Sequence, residues 1–298
     1  MNFELIRVII ALSGATAAAY QDAKTSFIDD RLTIGMLAAG ILFDLLTFDA
    51  NFIAFSIGIT CIILGIGYFA YKTGQLGGGD VLLFAGLQAL LPFFPLETMQ
   101  SLLQAYPPAA GQAVTIIAGM QAYPFFFSVF IASSLFAMIG SAAQYAIALH
   151  GKKLEPDLVS FTAIAVAGAA AVGWLHAAFS LSITQTTFLA IVFIPGIFLV
   201  AFKKQILSQV IIQRVPITAI EDEDVLATEA MPERITKKYG LGRVLTKKEV
   251  EKLRKIRAKE KISRFPVYKN LPRFGPYILA GLIASLLFAD LFVFLLLF

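Results

Sequence analysis

The chain alternates long apolar runs with short polar breaks. Runs with few or no charges cover about 3–20, 32–48, 52–71, 81–95, 124–149, 158–179, 186–202 and 277–298. Most reach the roughly 17 residues that a helix needs to cross about 30 Å of hydrocarbon. Polar connectors fall at Gln21–Arg31, Asp49–Asn51, Lys72–Asp80 and His150–Asp157, and a longer proline- and glutamine-containing one at 96–122. From Lys203 to Arg273 the chain turns hydrophilic before a last apolar run. The pattern predicts an all-α polytopic membrane protein of about eight transmembrane helices, with a hydrophilic insert before the last. It divides the chain into 1–202, 203–273 and 274–298.

Composition agrees. The 298 residues are 58% hydrophobic and 15% charged, and a soluble domain of this length would carry more charge. The first run, with Arg7 and an Ala-Thr-Ala-Ala-Ala end, has the outline of a cleaved signal peptide. Glu4 offsets Arg7, however, and Lys24 and Arg31 follow the run instead of preceding it, so retention is expected. The single cysteine, Cys61, excludes an internal disulfide and a cysteine-based zinc site. His150 and His176 have no third ligand near them in sequence, so no metal and no cofactor is expected.

Charge then fixes an expected orientation. If the runs cross in alternation, every Lys and Arg except Arg7 falls on one side, among 24 in all. By the positive-inside rule that side is the cytoplasm, the membrane is the plasma membrane, and both termini lie outside. Within the insert an acidic run at 221–224 precedes a strongly basic half. Thr246 and Glu249 have capping-box spacing and open a Lys/Arg-rich helix reaching about Ser263. Its apolar stripe of Val250, Leu253 and Ile256 is narrow, fit to lie on a membrane or on its own domain. The basic face suits anionic membrane lipid, and a nucleic-acid partner is not expected on such an insert.

Two carboxylates stand out against this frame. Asp22 ends the first run and Asp80 begins the fourth, so both fall at one membrane depth on the cytoplasmic side. Ionisable groups at a membrane helix are rare and suggest function. Asp44 and Asp290 fall toward the opposite side. Gly77, Gly78 and Gly79 immediately precede Asp80, and a run without side chains lets another backbone approach or lets the chain turn. Two close carboxylates share a proton, so one can act as base toward a water while the other polarises a scissile carbonyl. That is the apparatus of aspartyl proteolysis. The plainer reading is that glycine joins helices and aspartate caps them.

These residues resemble the GxGD-type membrane aspartic proteases, read here as Gly77-Gly78-Gly79-Asp80. More narrowly they resemble the type IV prepilin peptidases and their archaeal relatives, the preflagellin (prearchaellin) peptidases. That branch carries Asp-x-Lys-Thr at the end of the first span, then an aliphatic residue, often Pro-Asn, and Leu-Thr. This chain has Asp22-Ala23-Lys24-Thr25, Ile28, Asp29-Asp30 and Leu32-Thr33, with Asp-Asp in place of Pro-Asn. The segment from Asn270 to Tyr277 is loosely similar to the closing segment of the archaeal members. The resemblance implies Asp22 and Asp80 as catalytic residues and the three glycines as a loop along which a substrate backbone lies. It implies cleavage of class III signal peptides from pilin-like or archaellin-like precursors, which present a short basic leader followed by a hydrophobic helix. With one cysteine, the tetracysteine zinc insert and the N-methyltransferase activity of bacterial members are not expected, and the archaeal form is. Asp29 and Asp30 are candidates for holding the substrate's basic leader, or for capping the second span. A transporter or channel with interfacial acids is the alternative function, since broken helices and buried acids also mark ion pathways.

Overall fold

The computed structural model describes residues 3–103, 116, 119, 123–220, 224–260, 262–269, 271–291 and 293. The apolar part is helical: α1 (Glu4–Thr25), α2 (Asp30–Leu45), α3 (Ala50–Lys72), α4 (Gly78–Leu90), α5 (Leu96–Leu103), α6 (Phe125–Leu149), α7 (Leu158–Phe179) and α8 (Ile183–Ala201). A short α9 (Lys203–Ile206) leads into the hydrophilic stretch, which holds α10 (Glu233–Tyr239) and α11 (Lys247–Glu260), and α12 (Gly275–Phe288) follows it. Among the described residues, four helices (α3, α6, α7 and α8) are long and apolar enough to cross a membrane. Eight such helices are not found there. The helices α4 and α12 are apolar but shorter, and α4 at 13 residues spans only about 20 Å. Ala289, at φ 60°, interrupts the last helix before Asp290, and Leu291 and Val293 are helical again. Most of the expected connector 96–122, and the end of the last run, lie outside the described residues.

The chain forms two compact units. The first comprises Met1–Tyr71, Leu76–Met138 and Arg273–Phe298. Its centre is α4, where Val81, Leu83, Phe84, Leu87 and Leu90 are all buried, as a helix apolar on every face must be. Helix α2 packs along it through glycine. A Cβ on Gly40 would lie 2.5 Å from the Ala89 backbone, so no side chain fits there. Helix α1 lies against α12 through a stripe of Ala11, Ala15 and Ala18, each wholly buried.

The exceptional cation of the sequence is accounted for here. Arg7 is buried and its Nη1 lies 2.7 Å from Asp44 Oδ1, while Ser56 donates to Asp44 Oδ2 at 2.5 Å. The guanidinium also sits over the Phe43 and Phe52 rings. Residues from the first three helices therefore share one buried polar cluster. Asp290 accepts from the Tyr123 and Ser128 hydroxyls.

The second unit comprises Lys72–Gln75 and Ile139–Pro272. Helices α7 and α8 form a hairpin. Asp157 caps α7 by accepting from the Ser160 amide at 3.3 Å and pairs with Lys204 at 2.9 Å. The hydrophilic stretch is not helical alone. It holds an antiparallel sheet of β1 (Ile212–Pro216), β2 (Val225–Leu226) and β3 (Arg264–Tyr268), in the order β1-β3-β2. The stripe on α11 faces this unit's own core: Leu253 and Ile256 are wholly buried with Leu226, Leu245, Phe265 and Val267. Of the two expected settings for that helix, its own domain is the one found. Thr246 precedes the helix as expected, but Glu249 accepts from the Gly242 amide and pairs with Lys252.

Two predictions follow from these contacts. Asp44→Ala strands a buried guanidinium and is expected to destabilise by about 3–5 kcal/mol. The double variant Arg7→Met/Asp44→Leu should recover much of that loss, as read by thermal unfolding in detergent. Hydrogen bonds from Lys204 and then Ser160 hold the Asp157 carboxyl below its usual range. A depressed folded value means that the cap stabilises at neutral pH and is lost as the pH falls below 3.8, the ordinary aspartate value. The stability difference between wild type and Asp157→Ala should therefore be constant near neutrality and shrink in acid.

Candidate active site

Asp22 sits in the last turn of α1, not in a connector, because the helix continues to Thr25 before Ser26 ends it in a left-handed conformation at φ 58°. The alanine stripe brings the start of α12 against that turn. There the Gly275 amide donates to Asp22 Oδ2 at 2.8 Å. A Cβ at position 275 would lie 3.0 Å from that same oxygen and 3.4 Å from the Ala19 Cα, so glycine is what the approach requires. Arg273, two residues earlier, donates to the Ala23 carbonyl and to Ser26 Oγ. The Asp22 carboxylate is thus buried, oriented by one amide and flanked by one guanidinium that binds the adjoining backbone.

Asp80 is placed by the opposite end of a helix. Gly77 is the N-cap of α4, in extended conformation, and Asp80 occupies the third helical position. From there its carboxylate reaches back to accept the Gly77 amide, the acidic half of a capping box. The three glycines have distinct reasons. None has a positive φ, so the run does not serve a left-handed turn. A Cβ on Gly79 would lie 2.8 Å from the Ile28 Cβ, and one on Gly77 would lie 3.0 Å from Asp80 Oδ2. One on Gly78 would meet the Tyr71 ring at an ordinary 3.6 Å. Gly79 is therefore the residue that lets α4 begin against the segment just after Asp22.

That contact brings the two acids together. Asp22 is close enough to Asp80 for its charge to act on that carboxyl directly. Interacting carboxyl groups titrate as a coupled pair. Asp44 and Asp290 do not join them, each being held in its own cluster.

Asp29 and Asp30 are exposed beside the start of α2. Asp29 caps that helix, accepting from the Arg31 amide at 2.9 Å, while its own amide donates to Gln21. Asp30 lies in the first turn. Among the described residues no three His, Cys, Asp or Glu side chains converge as a metal site. Sequence reasoning missed Arg273 and Gly275 as partners of Asp22, although the Arg-Phe-Gly-Pro run before the last apolar stretch was the available signal.

Comparison with known proteins bears on this site. Residues 9–142 match the model of the type IV leader peptidase family. The chain is 33% identical over 140 residues to the prepilin peptidase EppA of Methanothermobacter thermautotrophicus, a match covering 45% of this chain and 34% of that protein. It thus spans about a third of the length of the curated relative it matches. No solved structure matches. The matched residues hold both aspartates and the glycine run.

Proposed function

We propose that the chain is a membrane aspartic endopeptidase that removes the class III signal peptide from pilin-like or archaellin-like precursors, with Asp22 and Asp80 as its catalytic pair. The observation that carries this reading is the meeting of these two acids, 58 positions apart in the sequence, inside a segment that matches leader peptidases. Hydrolysis by such a pair needs no group beyond water. The ionised carboxylate takes a proton from a water held between them, and the oxygen attacks the scissile carbonyl. The protonated partner donates to the carbonyl oxygen as it gains charge, and the tetrahedral intermediate collapses with proton transfer to the leaving amine. The Gly275 amide holds one Asp22 oxygen in place during these exchanges, and the Gly77 amide does the same for Asp80.

The substrate's extended backbone lies along Gly77–Gly79, where side chains would intrude. Exposed Asp29 and Asp30 attract the basic leader, and the capping bond of Asp29 still leaves carboxylate oxygen free to accept. The site faces the cytoplasm of the plasma membrane, as the distribution of Lys and Arg indicates. Residues 1–202 form the membrane-embedded catalytic part, 203–273 a cytoplasmic insert whose basic face meets anionic lipid, and 274–298 the closing transmembrane helix.

The test is co-expression with an epitope-tagged archaellin or pilin precursor, scored for loss of the leader. Asp22→Asn and Asp80→Asn should each abolish cleavage by at least about a thousandfold while the protein still inserts and folds. Substantial cleavage by either variant overturns the pairing. Gly275→Ala adds a methyl against Asp22 and should reduce stability by about 1–3 kcal/mol and slow cleavage, as read by melting and by leader loss in the same membranes.

A further inference from the structure

Three apolar helix ends meet within the second unit. α6 stops at Leu149, α7 starts at Leu158 and α8 stops at Ala201, and all three helices are long and apolar enough to cross a membrane. The Asp157 amide donates to the Ala201 carbonyl at 2.9 Å, which ties the start of α7 to the end of α8. Leu149, at the end of α6, packs with Ile206 of α9. Where such helices cross a bilayer, ends that meet share one depth, so the polar segments 150–157 and 203–209 fall together at its surface.

A pocket of about 320 Å³ opens between these two segments. Lys153 and Glu155 line it from one, and Lys204, Gln205, Ser208 and Gln209 from the other, so every lining residue is polar. The segments carry Lys152, Lys153, Lys203 and Lys204 against Glu155 and Asp157, a net charge of +2. Lys153 pairs with Glu155 at 3.2 Å and Lys204 with Asp157 at 2.9 Å, yet the two lysine side chains stay 89% and 81% exposed. Such open pairs contribute little and leave ammonium donors for a further anion. The walls are tied together. Gln205 donates to the Glu155 carbonyl, Lys152 to the Gln209 carbonyl at 3.3 Å, and Ser208 to the Lys204 carbonyl at 2.8 Å. The Oε1 atom of Gln205 is buried without a hydrogen-bond partner among the described residues, an acceptor left for a donor from outside the chain. Next to the lining residues in sequence, the apolar side chains of Leu154, Leu158 and Val159 are exposed.

We propose that this pocket binds the headgroup of an anionic phospholipid, whose phosphate meets Lys153 and Lys204 and whose acyl chains lie along Leu158 and Val159 of α7. The depth and the apolar flank select a lipid over a free phosphate, which has no use for either. A hydroxyl of a glycerol headgroup supplies the donor that Gln205 lacks. The site rests on the membrane setting of α6, α7 and α8. It uses no residue of α11 or of the proposed catalytic pair, so it stands whether or not the chain is an endopeptidase.

The test is native mass spectrometry of the full chain in detergent, titrated with phosphatidylglycerol and, separately, with phosphatidylcholine. Phosphatidylglycerol should bind about fivefold more tightly, the factor that one cation beside an anionic headgroup accounts for. Lys153→Gln should lower its affinity about fivefold and Lys153→Gln/Lys204→Gln about twenty-five-fold. Glu155→Gln, which releases Lys153, should tighten binding. Because Lys204 also pairs with the residue that caps α7, Lys153→Gln decides the matter if the double variant unfolds. Lys248→Gln/Lys255→Gln, on α11, should leave the affinity unchanged. Equal affinity for the two lipids, a wild-type affinity in Lys153→Gln, or a loss confined to the α11 variant overturns the site. Displacement of the lipid by millimolar glycerol 3-phosphate assigns the pocket to a soluble phosphate ester and overturns the lipid as its occupant.

Discussion

The structure depends on close approach between helix ends that carry charge. A carboxylate repels another carboxylate, and burial makes the repulsion worse, so two such groups meet only where the surrounding backbone forces them to. Here the force comes from the absence of side chains. Gly79 admits Ile28, Gly275 admits Asp22, and the alanine stripe of α1 admits α12. Each contact removes the bulk that would hold the helices a side chain's width apart. Backbone amides from Gly77 and Gly275 then give each carboxylate a fixed donor. The acids are held by peptide groups instead of by flexible cations.

The opposite end of the same unit solves a different problem with a similar economy. Arg7 and Asp44 are both withdrawn from solvent, and each would be costly alone. Together with Ser56 and two aromatic rings they form a compact knot through α1, α2 and α3. Desolvation offsets much of the attraction in such a pair, so its value lies less in net stability than in register.

Much of this was legible in the sequence, for reasons that can be named. The helices of the apolar part follow from long runs that must satisfy their backbone hydrogen bonds internally. Asp22 and Asp80 were expected together because each lies where an apolar run meets a polar break. The number of crossings could not be read so directly, since α4 is mostly apolar yet only 13 residues long, its surface largely buried. The sheet was hidden for a different reason. Its middle strand β3 contains Pro266, a residue that lacks the amide a central strand uses, and the pattern of that strand is not a clean alternation. Pro266 is tolerated because its carbonyl still accepts from the Ala227 amide, which keeps β2 attached. Arg273 and Gly275 were missed because their importance lies in what they touch across some 250 positions of sequence, and the local Arg-Phe-Gly-Pro run marks the place without naming the partner.

The buried pair has a consequence for how the chain is made. Arg7 reaches the bilayer during synthesis well before Asp44, which follows 37 residues later. Until α2 emerges, the leading segment carries a cation without the acid that it pairs with in the fold. The first two helices are therefore suited to enter as a joined hairpin, the acid arriving as the arginine is drawn inward.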